Sequence, residues 1–564
     1  MERCLIMSEN NVSTSNYNSK NRKMEVPTDI YVPEYLNNYL KDMEIPEKID
    51  NAFLIKLGMG ALTAKIADIE EYNMAVKTGK KRVPSKLDFD DASIIMMSLY
   101  TFRNIQMTER ADDIVTTMYD DKAGTYVTSY KQMYEIMRRL ATGFKEKDKQ
   151  DVMHDIESAI PTVEPTKDKN LFAVNNGIYN KLTGELMPFD RDYVFLTKIP
   201  IDYHNKSTNP VITAPDGFNW NVEDWIKDIM DDDLDATTLI WQVIADCLQP
   251  NYSRHKSIWF YSEKGNNGKG TVGQLIKNLL GKGNYASLSV DDFNHEYLKE
   301  TLLGTAANIA DENDVDVWID SVKDYKASIT GDDININRKY EKPLRVQYLG
   351  TNLQMMNGLP KTKDKSDSVY RRLIIVPFLK SFTNNGERKY IKDDYIGRQD
   401  VLEYVLHVAL NMDFDDYITP LVSSELLHSY KEKNNPVMEF WNELKDEFIW
   451  DLLPTPFLYD VYKSWHMTNN PSGKPMSSRS FIDTLRAVVQ SQGDAWEDKS
   501  SRTDKVRSMG KMYDDEPLIT TFGLDKIDKT GRTSRWANDT YNGTNTQKKR
   551  EFTRSVSYRG FVRL

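Results

Sequence analysis

Residues 257–281 read SIWFYSEKGNNGKGTVGQLIKNLLG, and this stretch decides the fold. Its first part, Ile258–Tyr261, is a short apolar run of the kind that forms a buried parallel strand. A glycine-rich loop follows at residues 265–271, and apolar residues at helical spacing from Val272 to Leu280 then mark one face of a helix. Gly281 ends that helix. Strand, glycine loop and helix in this order predict an α/β core with a parallel sheet.

The residues of the loop suit a bound triphosphate. Glycines let the backbone curl so that its N–H groups point at phosphate oxygens, and the helix N-terminus adds partial positive charge. Lys269 follows Gly268, at the position where a lysine reaches the β- and γ-phosphates. The predicted ATP-binding residues are Gly265, Asn266, Asn267, Gly268, Lys269, Gly270 and Thr271.

The loop departs from the pattern G-x-x-x-x-G-K-[ST] at two positions. Glu263 stands where the first glycine is expected, and Gly270 stands where a Ser or Thr would hold Mg²⁺. Thr271 or a water molecule is expected to take that role. The alternative is an ordinary glycine-rich turn with an exposed lysine, and the flanking strand and helix argue against it.

Two carboxylates follow the next small apolar strand, at residues 306–310. Asp311 is placed to hold Mg²⁺ through its water shell, and Glu312 is placed to polarise the attacking water as a base. A third apolar run, Val346–Leu349, is expected to be a strand that ends near Asn352. A polar amide at the carboxyl end of a parallel strand faces the same crevice as the loop, so Asn352 is predicted to hold the γ-phosphate or the water.

A pair of arginines, Arg371 and Arg372, precedes the apolar run at residues 373–378. An arginine supplied to a neighbouring subunit's γ-phosphate stabilises the charge of the transition state. Ordinary salt bridges within the fold are the alternative. We expect one of the two arginines to act in trans, and the sequence does not distinguish between them.

Phosphate loop, Asp-Glu pair, strand-end Asn and Arg-Arg pair, in this order, resemble the superfamily 3 helicases, which are hexameric AAA+ motors of viruses, phages and plasmids. That resemblance implies ATP and Mg²⁺ as cofactors, a homohexamer, and movement along DNA from 3′ to 5′. It also implies a β-hairpin between Glu312 and Asn352, after the signature-like segment Lys326–Asp332. Lys339 falls at the hairpin tip, where the family contacts single-stranded DNA, with Tyr340 beside it to stack or wedge. The predicted DNA contacts of the hairpin are Arg338, Lys339, Tyr340 and Lys342.

The resemblance extends to both sides of the motor. The segments Asn176–Ile178, Thr183–Glu185 and Ile199–Tyr203 are similar to the module that precedes the helicase in the poxvirus and phage/plasmid primase family. Residues 458–481 and 559–561 resemble that family's C-terminal winged-helix domain, which implies a recognition helix beginning at Ser477–Ser480. Initiators of this kind, on phage satellites and mobile islands, recognise an origin with this domain. The candidate duplex contacts are Arg479, Arg486, Lys549 and Arg550.

The charge distribution is compatible with a DNA partner although the total is acidic. The net charge is -11, yet residues 471–564 contain 18 Lys and Arg against 12 Asp and Glu. A basic terminal module on an acidic body is an electrostatic footprint for a polyanion. The two cysteines form no CxxC, which predicts a reducing, cytoplasmic setting without structural zinc.

The sequence predicts six segments. The expected core is an α/β AAA+ ATPase with a parallel sheet, flanked by a helical N-terminal region and a C-terminal winged-helix domain. The predicted boundaries are 1–25 for a disordered tail, 26–165 for a helical N-terminal domain, 166–250 for a linker or collar module, 251–385 for the helicase core, 386–440 for a helical connection and 441–564 for the winged-helix domain.

Two other functions compete with a replicative helicase and origin-binding initiator. One is an ATP-regulated origin-recognition or loader protein that never unwinds DNA. The other adds primase activity, for which Leu87–Asp90 superficially supplies alternating carboxylates. That segment lacks a long apolar strand before it. A separate primase or host replication proteins are further expected partners, and no membrane partner is expected.

Overall fold

The structure is a computed structural model that describes residues 22–313, 318–319, 322–338, 342–362, 367–382, 388–469, 474–493, 495–512, 516–524, 536 and 557–564. The chain divides into two compact units. The larger unit comprises residues 1–360 and 372–420, and the smaller unit comprises residues 361–371 and 421–564. Among the described residues, no helix combines the length and the apolar character needed to cross a membrane.

The N-terminal part of the larger unit contains helices and a sheet. Its helices are α1 (Glu34–Leu40), α2 (Asn51–Ala75), α3 (Phe89–Leu99), α4 (Tyr130–Leu140) and α5 (Glu146–Ala159). Its strands are β1 (Arg22–Lys23), β2 (Glu44–Ile45), β3 (Phe102–Gln106), β4 (Ile114–Asp120), β5 (Thr125–Val127) and β6 (Thr162–Val163). Strands β3 to β6 form one sheet in the order β5-β4-β3-β6.

That sheet adds to the mainly helical domain expected at 26–165, in which helices contain most of the residues in regular elements. The run Ile114–Thr117 is β-branched throughout, and such residues fit a pleated surface better than a helix. Thr116 and Thr117 are buried although they are polar, and the Thr116 hydroxyl donates to Asn104 Oδ1 at 3.0 Å. Buried threonines break the alternation of apolar and polar residues, so the pattern did not reveal the strand.

Residues 166–250 are part of the same hydrophobic core as the segment that follows. The elements are β7 (Leu171–Val174), β8 (Gly177–Asn180), β9 (Glu185–Met187), β10 (Ile212–Thr213), β11 (Asn219–Trp220), α6 (Val222–Ile229) and α7 (Leu234–Cys247). Val174 and Leu239 pack in one buried cluster with Phe260 and Leu275. The predicted boundary near residue 250 therefore does not separate two cores, because apolar side chains on both sides of it share one interior.

The parallel sheet predicted from the phosphate loop is present. The elements of this region are β12 (Ser257–Tyr261), α8 (Lys269–Leu280), β13 (Tyr285–Ala286), β14 (Ala307–Ala310), β15 (Trp318–Ile319), α9 (Lys323–Thr330), β16 (Asp333–Ile336), β17 (Leu344–Gln347), β18 (Thr351–Met356), β19 (Lys361–Thr362), α10 (Asp367–Tyr370) and β20 (Leu373–Pro377). The sheet has the order β13-β14-β18-β12-β20, and every neighbouring pair is parallel. Strand β12, which leads into the phosphate loop, thus lies between β18 and β20.

The third strand lies at a different place from the predicted one. Leu344–Gln347 forms β17, which pairs antiparallel with β16 in a hairpin, whereas the third strand of the parallel sheet is Thr351–Met356. The prediction of a sheet strand at Val346–Leu349 is therefore wrong. An apolar run of four residues suits an antiparallel hairpin and a buried parallel strand equally well, so the run alone does not choose between them.

The remaining helices of the larger unit pack on the core of the parallel sheet. They are α11 (Lys389–Asp393) and α12 (Gln399–Asn411). Val401 and Val405 of α12 belong to the same buried cluster as the strands. The expected helical connection at 386–440 is therefore divided, because the larger unit continues to Pro420.

The smaller unit has its own aromatic core and a three-stranded sheet. Its elements after Pro420 are α13 (Leu421–Asn434), α14 (Pro436–Leu444), β21 (Leu452–Pro454), α15 (Thr455–Asn469), α16 (Ser478–Gln492), β22 (Trp496–Lys499), β23 (Val506–Arg507), α17 (Pro517–Thr521), β24 (Ser557–Tyr558) and β25 (Gly560–Arg563). Strand β25 pairs antiparallel with both β21 and β22. Phe440 and Trp441 are buried in this core, so the predicted boundary at residue 441 falls inside α14.

Candidate nucleotide-binding site

The phosphate loop connects the carboxyl end of β12 to the first turn of α8. Gly268 is the N-cap of α8 at φ 84°, a conformation that favours glycine. A Cβ at this position would also lie 2.8 Å from Ile229 Cδ1. The positive φ and the nearby Ile229 side chain both require glycine at residue 268. Because glycine has no side chain, the N-terminus of α8 can approach a ligand closely.

The side chain of Asn267 holds the loop in shape from inside. Its Oδ1 accepts a hydrogen bond from the backbone N–H of Lys269 at 3.1 Å, and its Nδ2 donates to Ser262 Oγ and to the Lys264 carbonyl. Asn267 is buried. It therefore supports the loop through its side chain, and only its backbone is available to phosphate.

Lys269 crosses from the loop to the end of the neighbouring strand. Its Nζ donates to the Met356 carbonyl at 2.7 Å and to Asn357 Oδ1 at 2.6 Å. The side chain is buried, and burial lowers the pKa of Lys269 to about 8. A cation held by two neutral oxygens in a buried position is poorly compensated, so an arriving phosphate would meet a strong electrostatic attraction.

Asn357, which sequence reasoning missed, occupies the position that was predicted for Asn352. Strand β18 begins at Thr351 and ends at Met356, so Asn352 lies near the amino end of the strand, beside Ser257. Asn352 is fully buried, and its side chain bonds Asn308 and Ser328. Asn357 directly follows the carboxyl end, is exposed, and contacts Lys269. The sequence did contain the signal, because placing the strand five residues later moves the strand-end amide from Asn352 to Asn357.

Asp311 and Glu312 follow the carboxyl end of β14, on the same edge of the sheet as the phosphate loop. Both are exposed, and Asp311 forms an ion pair with Lys277 of α8. Asp311 and Glu312 line a cavity of about 490 Å³, whereas Thr271 lines a different cavity. The structure therefore brings Asp311 to the phosphate-loop helix but not into one cavity with Thr271.

The donor atoms of this edge are compatible with Mg²⁺. Mg²⁺ prefers oxygen ligands and keeps several of its waters, so a carboxylate and a hydroxyl on two elements can hold it. The Asp311 carboxylate and the Thr271 hydroxyl are such donors, and Asp311 would exchange its contact with Lys277 for the ion. The described residues contain no preformed group of three or more His, Cys, Asp or Glu side chains for a metal ion.

A larger cavity, of about 790 Å³, opens beside the loop. The loop side is formed by Asn266, Gly268, Gly270 and Thr271, and the opposite side carries aromatic and charged residues. Among these, the Arg388 guanidinium lies 3.8 Å from the centre of the Phe218 ring, which is a cation–π contact. Trp225 and Phe382 also line this cavity.

Arg372 lies at the edge of the sheet opposite to the loop. Its carbonyl accepts a hydrogen bond from the backbone N–H of Ser257, the first residue of β12, at 2.7 Å. Arg371 directly precedes it in the sequence, belongs to the smaller unit and is exposed. Strand β12 spans five residues. A parallel strand of that length separates its two ends by about 13 Å, so within one chain Arg372 lies far from Lys269.

The β-hairpin expected between Glu312 and Asn352 is present as β16 and β17. Its strands pair from Asp333 with Gln347 to Ile336 with Leu344. Arg338 follows the first strand, Lys342 precedes the second, and Lys342 is exposed. The predicted tip residues Lys339 and Tyr340 lie outside the described residues.

The candidate DNA contacts in the C-terminal part differ in how strongly neighbouring carboxylates engage them. Arg479, in the first turn of α16, has a 93% exposed side chain. Arg486 forms ion pairs with Asp498 at 2.8 Å and with Asp483 at 3.1 Å, so it connects α16 to β22. A guanidinium engaged by two carboxylates is a weaker candidate for phosphate than an exposed one. Lys549 and Arg550 lie outside the described residues.

Asp88, one of the two carboxylates at Leu87–Asp90, has a structural role in the N-terminal core. It is the N-cap of α3, where its side chain accepts a hydrogen bond from the backbone N–H of Asp91. Lys65 forms ion pairs with both Asp88 and Asp91. Helix capping and a neutralising lysine therefore account for Asp88, which makes it a poor candidate for the metal site of a primase.

We expect the pH dependence of nucleotide binding to report the buried lysine. The free protein holds the pKa of Lys269 at about 8, and a bound phosphate raises it because the anion stabilises the charged form. Below that pH the lysine is charged in both states, whereas above it binding must take up a proton, so affinity falls as pH rises. Calorimetry in two buffers of different ionisation enthalpy, at about pH 7 and about pH 9, measures this uptake. Lys269→Arg is the control, since a guanidinium does not titrate there, and equal proton uptake by both proteins would contradict the prediction.

Three families match separate parts of the chain. The D5 N terminal like family matches residues 100–249, the family of unknown function DUF5906 matches residues 260–372, and the Poxvirus D5 protein-like family matches residues 432–517. The DUF5906 match contains the phosphate loop and the hairpin. The first match crosses the predicted boundary at residue 165.

The solved structures that resemble the chain include two apo structures of the NrS-1 C terminal region. The A form is 13% identical, with a TM-score of 0.40 over 72% of this chain and 86% of that chain. A second is 12% identical, with a TM-score of 0.39 over 72% of this chain and 89% of that chain. No curated protein sequence matches the chain significantly.

The D5 matches lie on both sides of the parallel sheet that carries the phosphate loop. Their positions agree with a protein that uses a nucleoside triphosphate in replication, for which a nucleotide and a divalent metal are the implied cofactors. Residues 100–249 and 432–517 are therefore similar to the D5-like primase/helicase family of replication-related nucleoside triphosphatases.

Proposed function

We propose that the chain is an ATP-dependent replicative DNA helicase of the AAA+ class and the origin-binding initiator of a mobile genetic element. One observation carries the proposal. Lys269 of the phosphate loop contacts Asn357 at the end of β18, and a hairpin with a basic turn is inserted just before that strand. The proposed nucleotide site and the proposed DNA-contacting hairpin are thus both connected to β18.

The phosphate groups of ATP would lie against the N-terminus of α8 and Lys269. Magnesium, when bound by Thr271 and Asp311, supplies charge that offsets the phosphates. Glu312 polarises the attacking water, and the exposed amide of Asn357 orients that water or the γ-phosphate. The cavity beside the loop would take the nucleoside, with Phe218 and Trp225 available for contact with the base.

The arginine pair is the reason to propose a ring. Arg372 lies at the opposite sheet edge from Lys269 of its own chain, so we expect the arginine that stabilises the γ-phosphate, Arg372 or the preceding Arg371, to come from another subunit. A homohexamer, as in the superfamily that the sequence resembles, would place each pair at its neighbour's site. Hydrolysis between subunits would then move the hairpins, and Lys339 would draw one strand through the pore from 3′ to 5′.

The smaller unit is the proposed origin-binding domain. Helix α16 begins at Ser478 with an exposed Arg479, and the antiparallel strands β21, β25 and β22 accompany it. This arrangement of helices and sheet suits a winged helix, in which one helix enters the major groove and the wing contacts the backbone. Lys549 and Arg550 remain proposed contacts on the basis of the sequence.

Strand displacement on a forked DNA substrate tests the helicase proposal. We expect wild type to separate the strands with ATP, and Lys339→Ala to keep ATP hydrolysis while displacement falls by at least about tenfold, because a phosphate contact that advances the strand is lost. Lys282→Ala, which changes an exposed lysine just after α8 and outside the hairpin, is the matched control.

The outcomes separate the competing functions. If wild type hydrolyses ATP but separates no strands at any loading condition, the helicase proposal is wrong and an ATP-regulated loader is favoured. If Lys339→Ala unwinds as well as wild type, the hairpin tip is not the translocating contact. Synthesis of primers on single-stranded DNA by the chain alone would establish the primase alternative.

A further inference from the structure

Helix α9 directly precedes the hairpin and carries it. The helix ends at Thr330, Gly331 forms its left-handed C-cap at φ 71°, and β16 begins two residues later at Asp333. So short a connection leaves little freedom between helix and hairpin. The position of α9 on the parallel sheet therefore decides where the base of the hairpin lies.

Tyr325 binds α9 to the strand that leads to the phosphate loop. Its hydroxyl lies 2.5 Å from Ser257 Oγ and accepts a hydrogen bond from Trp259 Nε1 at 3.0 Å. Tyr325 and Ser257 are buried, and Phe293 packs edge-on against the tyrosine ring. Burial raises the pKa of Tyr325 to about 12, so the hydroxyl stays protonated and available as a donor.

Asn352 binds the same helix to β18. Its Nδ2 donates to Ser328 Oγ at 3.2 Å and to the Ser328 carbonyl at 3.3 Å. Its Oδ1 accepts from Asn308 of β14 at 3.2 Å. Asn352, Asn308 and Ser328 are all fully buried. A closed set of buried hydrogen bonds resists displacement, because each group that lost its partner would remain without water.

Strand β18 also contacts the phosphate-loop lysine at its other end. Asn352 lies at the second residue of the strand, and Lys269 contacts Met356, its last residue, and Asn357 just beyond. If a nucleotide draws Lys269 toward its phosphates, the carboxyl end of β18 loses its contact with this charged side chain. The six residues of β18 are buried, so the strand is a stiff connection between the two ends.

We propose that Tyr325 and Asn352 are positioning residues that fix α9 to β12 and β18, so that the hairpin moves with the nucleotide-dependent position of these strands. This inference rests on the proposed helicase function and names how the two sites of that function are coupled. Both side chains are buried, so neither is placed to contact nucleotide or DNA. The structure thus assigns to Asn352 a role in transmission in place of the predicted role at the γ-phosphate.

The number of base pairs separated per ATP hydrolysed by the full-length protein on forked DNA tests the proposal. For Tyr325→Phe we expect hydrolysis without DNA to stay within about twofold of wild type, whereas base pairs per ATP fall by roughly tenfold, within the range that changes in coupled networks produce. Ser328→Ala, which removes only one of the two acceptors of Asn352, should give a smaller fall. Tyr126→Phe is the matched control, since that buried tyrosine loses a hydrogen bond of 2.8 Å to the Arg191 carbonyl away from α9.

The possible results are distinguishable. A selective loss of base pairs per ATP in Tyr325→Phe, absent in Tyr126→Phe, supports the proposal. Unchanged base pairs per ATP in both Tyr325→Phe and Ser328→Ala overturns it, as does an equal loss in Tyr126→Phe. If Tyr325→Phe unfolds, shown by thermal melting, Ser328→Ala decides alone. A wild-type protein that never separates strands would refute the proposed function itself, before any variant is compared.

Discussion

Lys269→Ala is expected to reduce ATP hydrolysis by at least about a hundredfold, since removal of one preorganised charge-stabilising group commonly costs that much. The lysine is the positive group that the structure places between the loop and the end of β18. Without the lysine, the backbone N–H groups of the loop would still bind the phosphates. The positive charge that contacts the γ-phosphate would be lost. The fold should be retained, because a buried lysine whose pKa is lowered to about 8 costs free energy to bury in its charged form.

Phosphate release during ATP turnover measures this effect, and the thermal unfolding temperature checks the fold. Lys282→Ala is the matched control, since Lys282 is exposed just after α8. We expect that control to hydrolyse ATP like wild type. Hydrolysis by Lys269→Ala within a few-fold of wild type would show that the glycine loop is not the catalytic nucleotide site.

Asn357→Ala is expected to lower hydrolysis by roughly 10- to 100-fold, the cost of a misplaced reacting group, with a smaller effect on ATP binding. Asn357 is the exposed amide at the end of β18 and the partner of Lys269. Asn357→Asp should be worse for binding, because a carboxylate would hold Lys269 and repel the γ-phosphate. Both changes lie at an exposed position, so stability should change little.

The comparison with Asn352→Ala makes this prediction specific. Asn352 was expected from the sequence to act on the γ-phosphate, but it is buried at the other end of the strand. Turnover per folded molecule without DNA, normalised by the folded fraction, should therefore fall for Asn357→Ala and stay near wild type for Asn352→Ala. The reverse order would restore the original assignment and contradict the strand register described above.

The elements that the sequence predicted well are those specified by neighbouring residues. The apolar run of β12, the glycines, Lys269 and the helical spacing of α8 lie within 25 residues, and each constrains its own backbone. The hairpin was expected from the resemblance to the superfamily 3 helicases, and it is present as β16 and β17. The N-terminal sheet was missed, because the buried threonines of β4 carry no apolar signal.

Pairing and burial between distant residues were decided only by the tertiary structure. The register of β18 against β12 places Asn357 at Lys269 and turns Asn352 toward α9, and a shift of a few residues within an apolar run leaves the local pattern almost unchanged. Likewise, Arg486 looked like a surface cation until the fold brought Asp498 beside it. The sequence by itself thus determined that a phosphate loop exists and where its lysine stands. The tertiary structure decided which strand end that lysine meets, because that depends on which distant residues share one buried sheet.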